Sequence, residues 1–409
     1  MDWSNLYSES PRIILSITVG VGCLLYYFIE VVKRPVLACR NSAWRGFLET
    51  HLTILQEKYW PTPWCYESRC QTILASVLRS RMPDITYIRE LLEMKDGGQI
   101  CLDWLHGAGE ADKPIVIILP GLTGSSQSEY VKSLVLAVQE VGARCAVFNN
   151  RGLGGIKLKT ARTYCAANSD DLEEAIEHIK AKYPKAPLIA SGISLGGMIL
   201  GNYLVTRGEQ AAQHLVAAML LSVPWNVFVG TKSVEKPPWN LLLNRHLAYC
   251  LCESVKSMRK QLEGNCNWDL DHVMQSKTIR EFDSRFTAVQ FGFRDVEEYY
   301  RTASLHDKLD NIKVPLMCLS AADDPFQPLE GIPVEEANKS SHVAIVVTAR
   351  GGHIGFMEGI FPTNKYYSDR IYKQLVRGIF SNLGDMKEVK REAADYVKMM
   401  AHSCEGGGS

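Results

Sequence analysis

The chain has 409 residues, 46% hydrophobic and 22% charged, with 45 basic side chains against 45 acidic ones. That is enough chain for one large α/β domain or two ordinary ones, and its composition is that of a folded globular protein. The balanced charge, with no basic stripe, excludes a nucleic-acid binder, and 12 irregularly spaced cysteines without a C-x-x-C unit predict neither a disulfide scaffold nor a structural zinc site.

Residues 1–12 form a short N-terminal tail carrying Asp2 and Glu9. No charge occurs from Ile13 to Ile29, and counting on to Val32 gives about one bilayer crossing. Tyr26 and Tyr27 sit near one end, where amphipathic rings favour the interface, and Lys33 and Arg34 close the run. An acidic start and a bulky, basic far flank argue against a cleaved signal peptide, so residues 13–32 are read as a retained single-span anchor. An endomembrane location such as the endoplasmic reticulum is expected. Lys33, Arg34, Arg40 and Arg45 would hold the body on the cytosolic side, whereas the sequon Asn338-Lys339-Ser340 matters only for a luminal one.

Residues 33–84 read as a juxtamembrane helical region with an aromatic patch, Tyr59-Trp60-Pro61-Thr62-Pro63-Trp64. From residue 85 to 384 strands alternate with helices. Tyr87–Met94 and Gln99–Leu105 flank the turn Asp96-Gly97-Gly98 and predict a hairpin. Ile115–Leu119 is wholly apolar, as in the middle of a parallel sheet, and Cys145–Phe148 is the next strand. A helix is signalled by Asn168, Ser169 and Asp170 as caps and by Leu172, Ala175, Ile176 and Ile179 on one face. Leu188–Ser191, Val216–Ser222, Pro315–Ser320 and His342–Thr348 are further strands. This alternation predicts an α/β, mostly parallel, doubly wound sheet. Residues 225–304 break the rhythm with helical spacing at Leu247, Leu251 and Val255, and are read as an inserted helical cap. The charged segment 385–409 is expected to be a loosely ordered tail.

Gly192-Ile193-Ser194-Leu195-Gly196 places a serine between an apolar strand and a helix-compatible run. A nucleophile there needs glycine on both sides, because the sharp turn leaves no room for side chains, and the Leu195 N–H is positioned to hold an oxyanion. Two further groups follow in the chain order Ser, acid, His. Asp323-Asp324-Pro325-Phe326 closes one strand, and Gly351-Gly352-His353-Ile354-Gly355 follows the next. His353 is the expected base. Asp324 is preferred as its orienting acid because Asp324 to Pro328 fits the spacing Asp, any residue, apolar, any residue, Pro, with Asp323 as a possible loop brace. The glycine-rich loop Pro120-Gly121-Leu122-Thr123-Gly124 should give the second oxyanion donor, at Leu122 first and Thr123 next. No Gly-Lys-Ser/Thr follows it, which counts against phosphate cradling. Asn149-Asn150-Arg151-Gly152 either borders the pocket or is a plain turn.

With these motifs, and with Thr278-Ile279-Arg280-Glu281-Phe282-Asp283, the chain resembles the membrane-anchored α/β-hydrolase-domain proteins of eukaryotes, which are related to yeast medium-chain ethanol ester synthases. The resemblance spans about Asp96 to Phe361. It implies an α/β-hydrolase fold and carboxylester hydrolysis on lipids through an acyl-enzyme on Ser194. Medium-chain phosphatidylcholine is the substrate class it suggests, with no metal or organic cofactor. The alternative is acyl transfer to an alcohol through the same intermediate; a non-catalytic lipid-binding protein ranks below both. No histidine has an aspartate five residues later, so a dedicated lipid acyltransferase motif is absent.

Overall fold

In the computed structural model, which describes residues 3–105, 112–264, 268–362 and 366–405, nine strands make one sheet. They are β1 (Val36–Ala38), β2 (Ile88–Glu93), β3 (Gln99–Leu105), β4 (Ile115–Leu119), β5 (Arg144–Asn149), β6 (Leu188–Ile193), β7 (Ala217–Leu221), β8 (Leu316–Ala321) and β9 (Val343–Thr348). Their order is β1-β9-β8-β7-β6-β4-β5-β3-β2. β5, β4, β6, β7, β8 and β9 run parallel, while β3 joins β5, β2 joins β3 and β1 joins β9 antiparallel. The central strands are apolar on both faces because helices cover both. Ile115, Ile117 and Leu119 pack into one core, and Val116 and Ile118 into the other.

The main helices are α1 (Trp3–Tyr26), α2 (Ala43–His51), α3 (Ser68–Arg79), α4 (Glu129–Val141), α5 (Asp170–Lys182), α6 (Leu195–His214), α7 (Val227–Val234) and α8 (Trp239–Ser257). Local chemistry sets their ends. α4 stops at Gly142, whose φ of 82° suits a glycine C-cap. α5 carries Asp170, Asp171 and Glu173 in its first turn and Lys180 and Lys182 in its last, matching the helix dipole. As the spacing predicts, Leu172, Ala175, Ile176 and Ile179 are its buried residues.

The insertion after β7 begins and ends at one neck, where the N–H groups of Leu305 and His306 both donate to the Trp225 carbonyl (2.8 and 3.1 Å). It carries α7, α8 and the helix Val296–Ala303, with a small core that includes Leu251, Val255, Leu262, Phe282 and Phe286. This is the cap.

Three features differ from the sequence reading. α1 runs without a break across the expected boundary between residues 12 and 13. Residues 33–84 are woven into the catalytic body: β1 forms the sheet edge, Trp44 and Leu48 of α2 are core residues, and α3 lies against the site. The C-terminal segment is a packed helix, Leu383–Glu405, not a loose tail. Met386, Val389 and Ala393 bury one face of it, and Arg40 pairs with Glu392 at 2.6 Å. Residues 406–409 lie outside the described residues.

Candidate active site

β6 ends at Ile193, and Ser194 turns the chain into α6 with φ 51° and ψ −118°. Few non-glycine residues adopt that conformation, and its strain is the mark of a functional turn. The neighbours show why glycine is required. A Cβ on Gly192 would lie 2.6 Å from the Gly196 carbonyl oxygen, and one on Gly196 would lie 2.3 Å from the Pro120 oxygen. The Ser194 N–H donates to Leu221 O (2.9 Å), holding the turn to β7.

The loops after β8 and β9 deliver the other two groups. The Ser194 hydroxyl lies 2.9 Å from His353 Nε2, and His353 Nδ1 lies 2.9 Å from Asp324 Oδ2. With the imidazole proton on Nδ1, that nitrogen donates to the carboxylate, and Nε2 is left as acceptor for the serine hydroxyl. Asp324 is buried, and its second oxygen accepts the Phe326 N–H (2.8 Å). Phe326 packs against the imidazole with ring centres 4.5 Å apart. Asp323 points elsewhere. Its Oδ1 accepts the Gly352 N–H (3.0 Å), so it ties the acid loop to the histidine loop, and burial pushes it up to about 7.

The Pro120 loop lies against the serine, since a Cβ on Gly121 would sit 3.3 Å from Ser194 Cβ. Tyrosine hydroxyls accept the N–H groups on either side of Leu122: Gly121 donates to Tyr130 (2.9 Å) and Thr123 to Tyr164 (3.2 Å). The N–H groups of Leu122 and Leu195 have no hydrogen-bond partner among the described residues. Two cavities meet at Ser194 and His353. The inner one, about 160 Å³, runs under the cap along Met198, Leu251, Val255, Phe282 and Tyr300. The outer one, about 1010 Å³, lies between α3 (Thr72, Ile73, Val77) and the start of α8 (Trp239, Leu242, His246). An apolar channel at the nucleophile suits an acyl chain, and the wider opening suits the rest of a lipid ester.

A model of the family described as serine aminopeptidase, S33 (Hydrolase_4), matches residues 110–359. Over 373 residues the chain is 43% identical to phospholipase ABHD3 of Mus musculus, covering 90% of this chain and 89% of that protein. The chain belongs to the α/β-hydrolase family. It is also 38% identical over 335 residues to protein abhd-3.2 of Caenorhabditis elegans, covering 81% of this chain and 88% of that one. Among solved structures, the mouse α/β-hydrolase domain-containing protein 10 matches with a TM-score of 0.44 at 14% identity, over 73% of this chain and 98% of that one.

In this α/β-hydrolase, a serine hydrolase, the histidine loop rests in part on residues outside the expected catalytic domain, Thr72 and Arg79 of α3. The His353 N–H donates to Thr72 Oγ1 (2.9 Å), and the buried Arg79 donates to the Ile354 carbonyl (3.0 Å) while pairing with Asp369 (3.1 Å). Ser222 Oγ accepts the Ile354 N–H (3.1 Å). Sequence reasoning missed all three, because no local pattern ties α3 to a loop some 280 residues away, or Ser222 to one 132 residues away. Arg151 settles the ambiguity of its segment: it is a buried brace that pairs with Asp96 (2.8 Å) and Asp171 (2.6 Å), away from the cavities. Asn149 likewise holds the Pro120 loop by accepting the Ser126 N–H (2.9 Å).

Asp283 lines the inner cavity, accepting from Thr287 Oγ1 (2.7 Å) and Tyr300 Oη (3.1 Å), and burial pushes it up to about 7. A carboxyl held above its unfolded value keeps its proton more firmly in the folded state. Its contribution is therefore largest below the unfolded value and is lost as the pH climbs to about 7. Asp283→Asn should then gain melting temperature relative to wild type between pH 5 and pH 8. A difference between the two proteins that stays constant with pH would contradict the protonated carboxyl.

Proposed function

We propose that this serine hydrolase cleaves acyl esters of phospholipids, with Ser194 as nucleophile, His353 as base and acid, and Asp324 holding the imidazole. One observation carries the reading: the Ser194–His353–Asp324 chain, linked at 2.9 and 2.9 Å, opens directly into an apolar cavity. Ser194 Oγ attacks the ester carbonyl as His353 Nε2 takes its proton. The oxyanion is received by the Leu122 and Leu195 N–H groups. His353 then gives the proton to the departing lysolipid oxygen, and water releases the fatty acid by the same route in reverse. The name phospholipase borne by relatives that match nearly full length supports the substrate class. The family resemblance favours medium-chain phosphatidylcholine.

α1 supports a membrane setting. It continues as a π-helical turn, Tyr27–Val31, and the stretch Ile13–Val31 is apolar and long enough to cross a bilayer, with almost none of it covered by the rest of the chain. We read it as a single-span anchor that holds the outer cavity at its substrate. Alkaline carbonate should leave the full chain in the membrane pellet; release into the supernatant would remove the anchor.

Purified protein offered a panel of diacyl phospholipids should release fatty acid and lysophospholipid in equal amounts. No release from any of them, by a preparation that turns over a soluble ester, would sink the phospholipid assignment.

A further inference from the structure

Within the aromatic segment 59–64, Tyr59 is buried, but Trp60 and Trp64 take no part in the reaction and stand exposed beside the anchor. Trp60 is 47% exposed, Trp64 57%, Ile360 64% and Phe361 85%. These side chains sit on two segments fastened together. Pro61 and Glu358 form an antiparallel bridge, the Gly359 N–H donates to Trp60 O (3.1 Å), and Trp64 Nε1 donates to the Ile360 carbonyl (2.7 Å). The first of these segments, with Tyr66 just beyond it, is bolted to the end of the apolar helix. Tyr27 Oη donates to the Pro61 carbonyl (2.5 Å), Phe28 meets Trp60 edge to face at 6.1 Å, and Tyr66 packs on Tyr26 and Tyr27 at 6.0 and 6.1 Å.

From this we infer that Trp60, Trp64, Ile360 and Phe361 form a collar that sinks into the interfacial layer of a lipid bilayer and fixes the tilt of the catalytic body. The inference rests on the reading of α1 as an anchor. Continuity identifies the occupant: Phe28 and Ile29, at the helix end, are 51% and 61% exposed, and the apolar surface passes from them to Trp60 through ring contact. Whatever covers the helix end must therefore also meet the collar. Tryptophan suits that depth, since its ring is apolar and its N–H needs a partner, which Trp64 finds in Ile360 O. The consequence reaches the site by a short path. α3, which begins two residues beyond Tyr66, is one wall of the outer cavity, so a fixed collar aims that cavity along the bilayer surface.

The test uses the full chain in phosphatidylcholine vesicles. Lipids brominated high on the acyl chain should quench the tryptophan emission of wild type, and Trp60→Phe/Trp64→Phe should lose about half or more of that quenching. Trp60→Ser/Phe361→Ser should turn over vesicle phospholipid about tenfold more slowly while keeping a soluble short-chain ester within about twofold, since only the approach to the bilayer is misaligned. Release of wild type by alkaline carbonate would remove the anchor itself. With wild type still in the pellet, quenching unaltered by the Trp60→Phe/Trp64→Phe change, or undiminished vesicle turnover in Trp60→Ser/Phe361→Ser, would overturn the collar alone. Wild-type emission that brominated lipid does not quench would also overturn it, and would point to a protein partner on that surface.

Discussion

Ser194→Ala should lower kcat on a soluble ester by a factor on the order of 10⁶, with the melting temperature close to wild type. The expectation follows from what the hydroxyl does and does not touch. Its oxygen lies 2.9 Å from His353 Nε2, and the turn that carries it is held by backbone contacts, Ser194 N to Leu221 O and Met198 N to Ser194 O, at 2.9 and 3.0 Å. Alanine has the same backbone demands as serine, so the strained turn should survive. The cap, the cavities and the donors of Leu122 and Leu195 would remain, leaving only the slow attack of water on a bound ester. A variant that kept more than about one hundredth of wild-type turnover would show that the acyl group does not travel through Ser194.

Asp324→Asn and Asp323→Asn should part by orders of magnitude although the two residues are adjacent. Asp324 Oδ2 faces His353 Nδ1 at 2.9 Å. An amide there can turn its NH₂ to the imidazole, which places the ring proton on Nε2 and removes the acceptor that Ser194 needs. The expected loss in kcat is on the order of 10⁴. Asp323 instead accepts the Gly352 N–H, a role that the amide oxygen of Asn can keep, and its carboxyl, pushed up to about 7, is already partly neutral near neutrality. Turnover of Asp323→Asn should stay within about tenfold of wild type. Steady-state kinetics on both variants, with melting curves to establish folding, checks the pair. A larger loss at Asp323 than at Asp324 would reverse the two roles.

What was legible in the sequence follows from how local each signal is. β4 announces itself because five apolar residues in a row, four of them β-branched and closed by Pro120 and Gly121, suit a strand covered on both faces. Ser194 stands out because the glycines around it answer a steric demand within five residues of chain. Asp324 could be preferred over Asp323 from the local run to Pro328, with Pro325 next and the apolar Phe326 after it. The supports were invisible for the opposite reason. Thr72 and Arg79 reach the histidine loop from α3, and nothing near either residue in the chain records that contact. β1 is three residues long, too short for any periodicity, and gains its place only by pairing with β9. The helix Leu383–Glu405 is a different case: Met386, Val389 and Ala393 lie at helical spacing, but the surrounding charges hid the stripe. Arg151 is a case the sequence left open, between bordering the pocket and a plain turn, and it serves as an ion-paired brace.

The central claim is that one serine carries the chemistry, and active-site titration followed by peptide mapping addresses it most directly. One equivalent of a fluorophosphonate should abolish ester turnover, and the added mass should map to Ser194. The claim would be contradicted by complete inactivation with the adduct on another residue, or by stoichiometric modification of Ser194 with turnover intact.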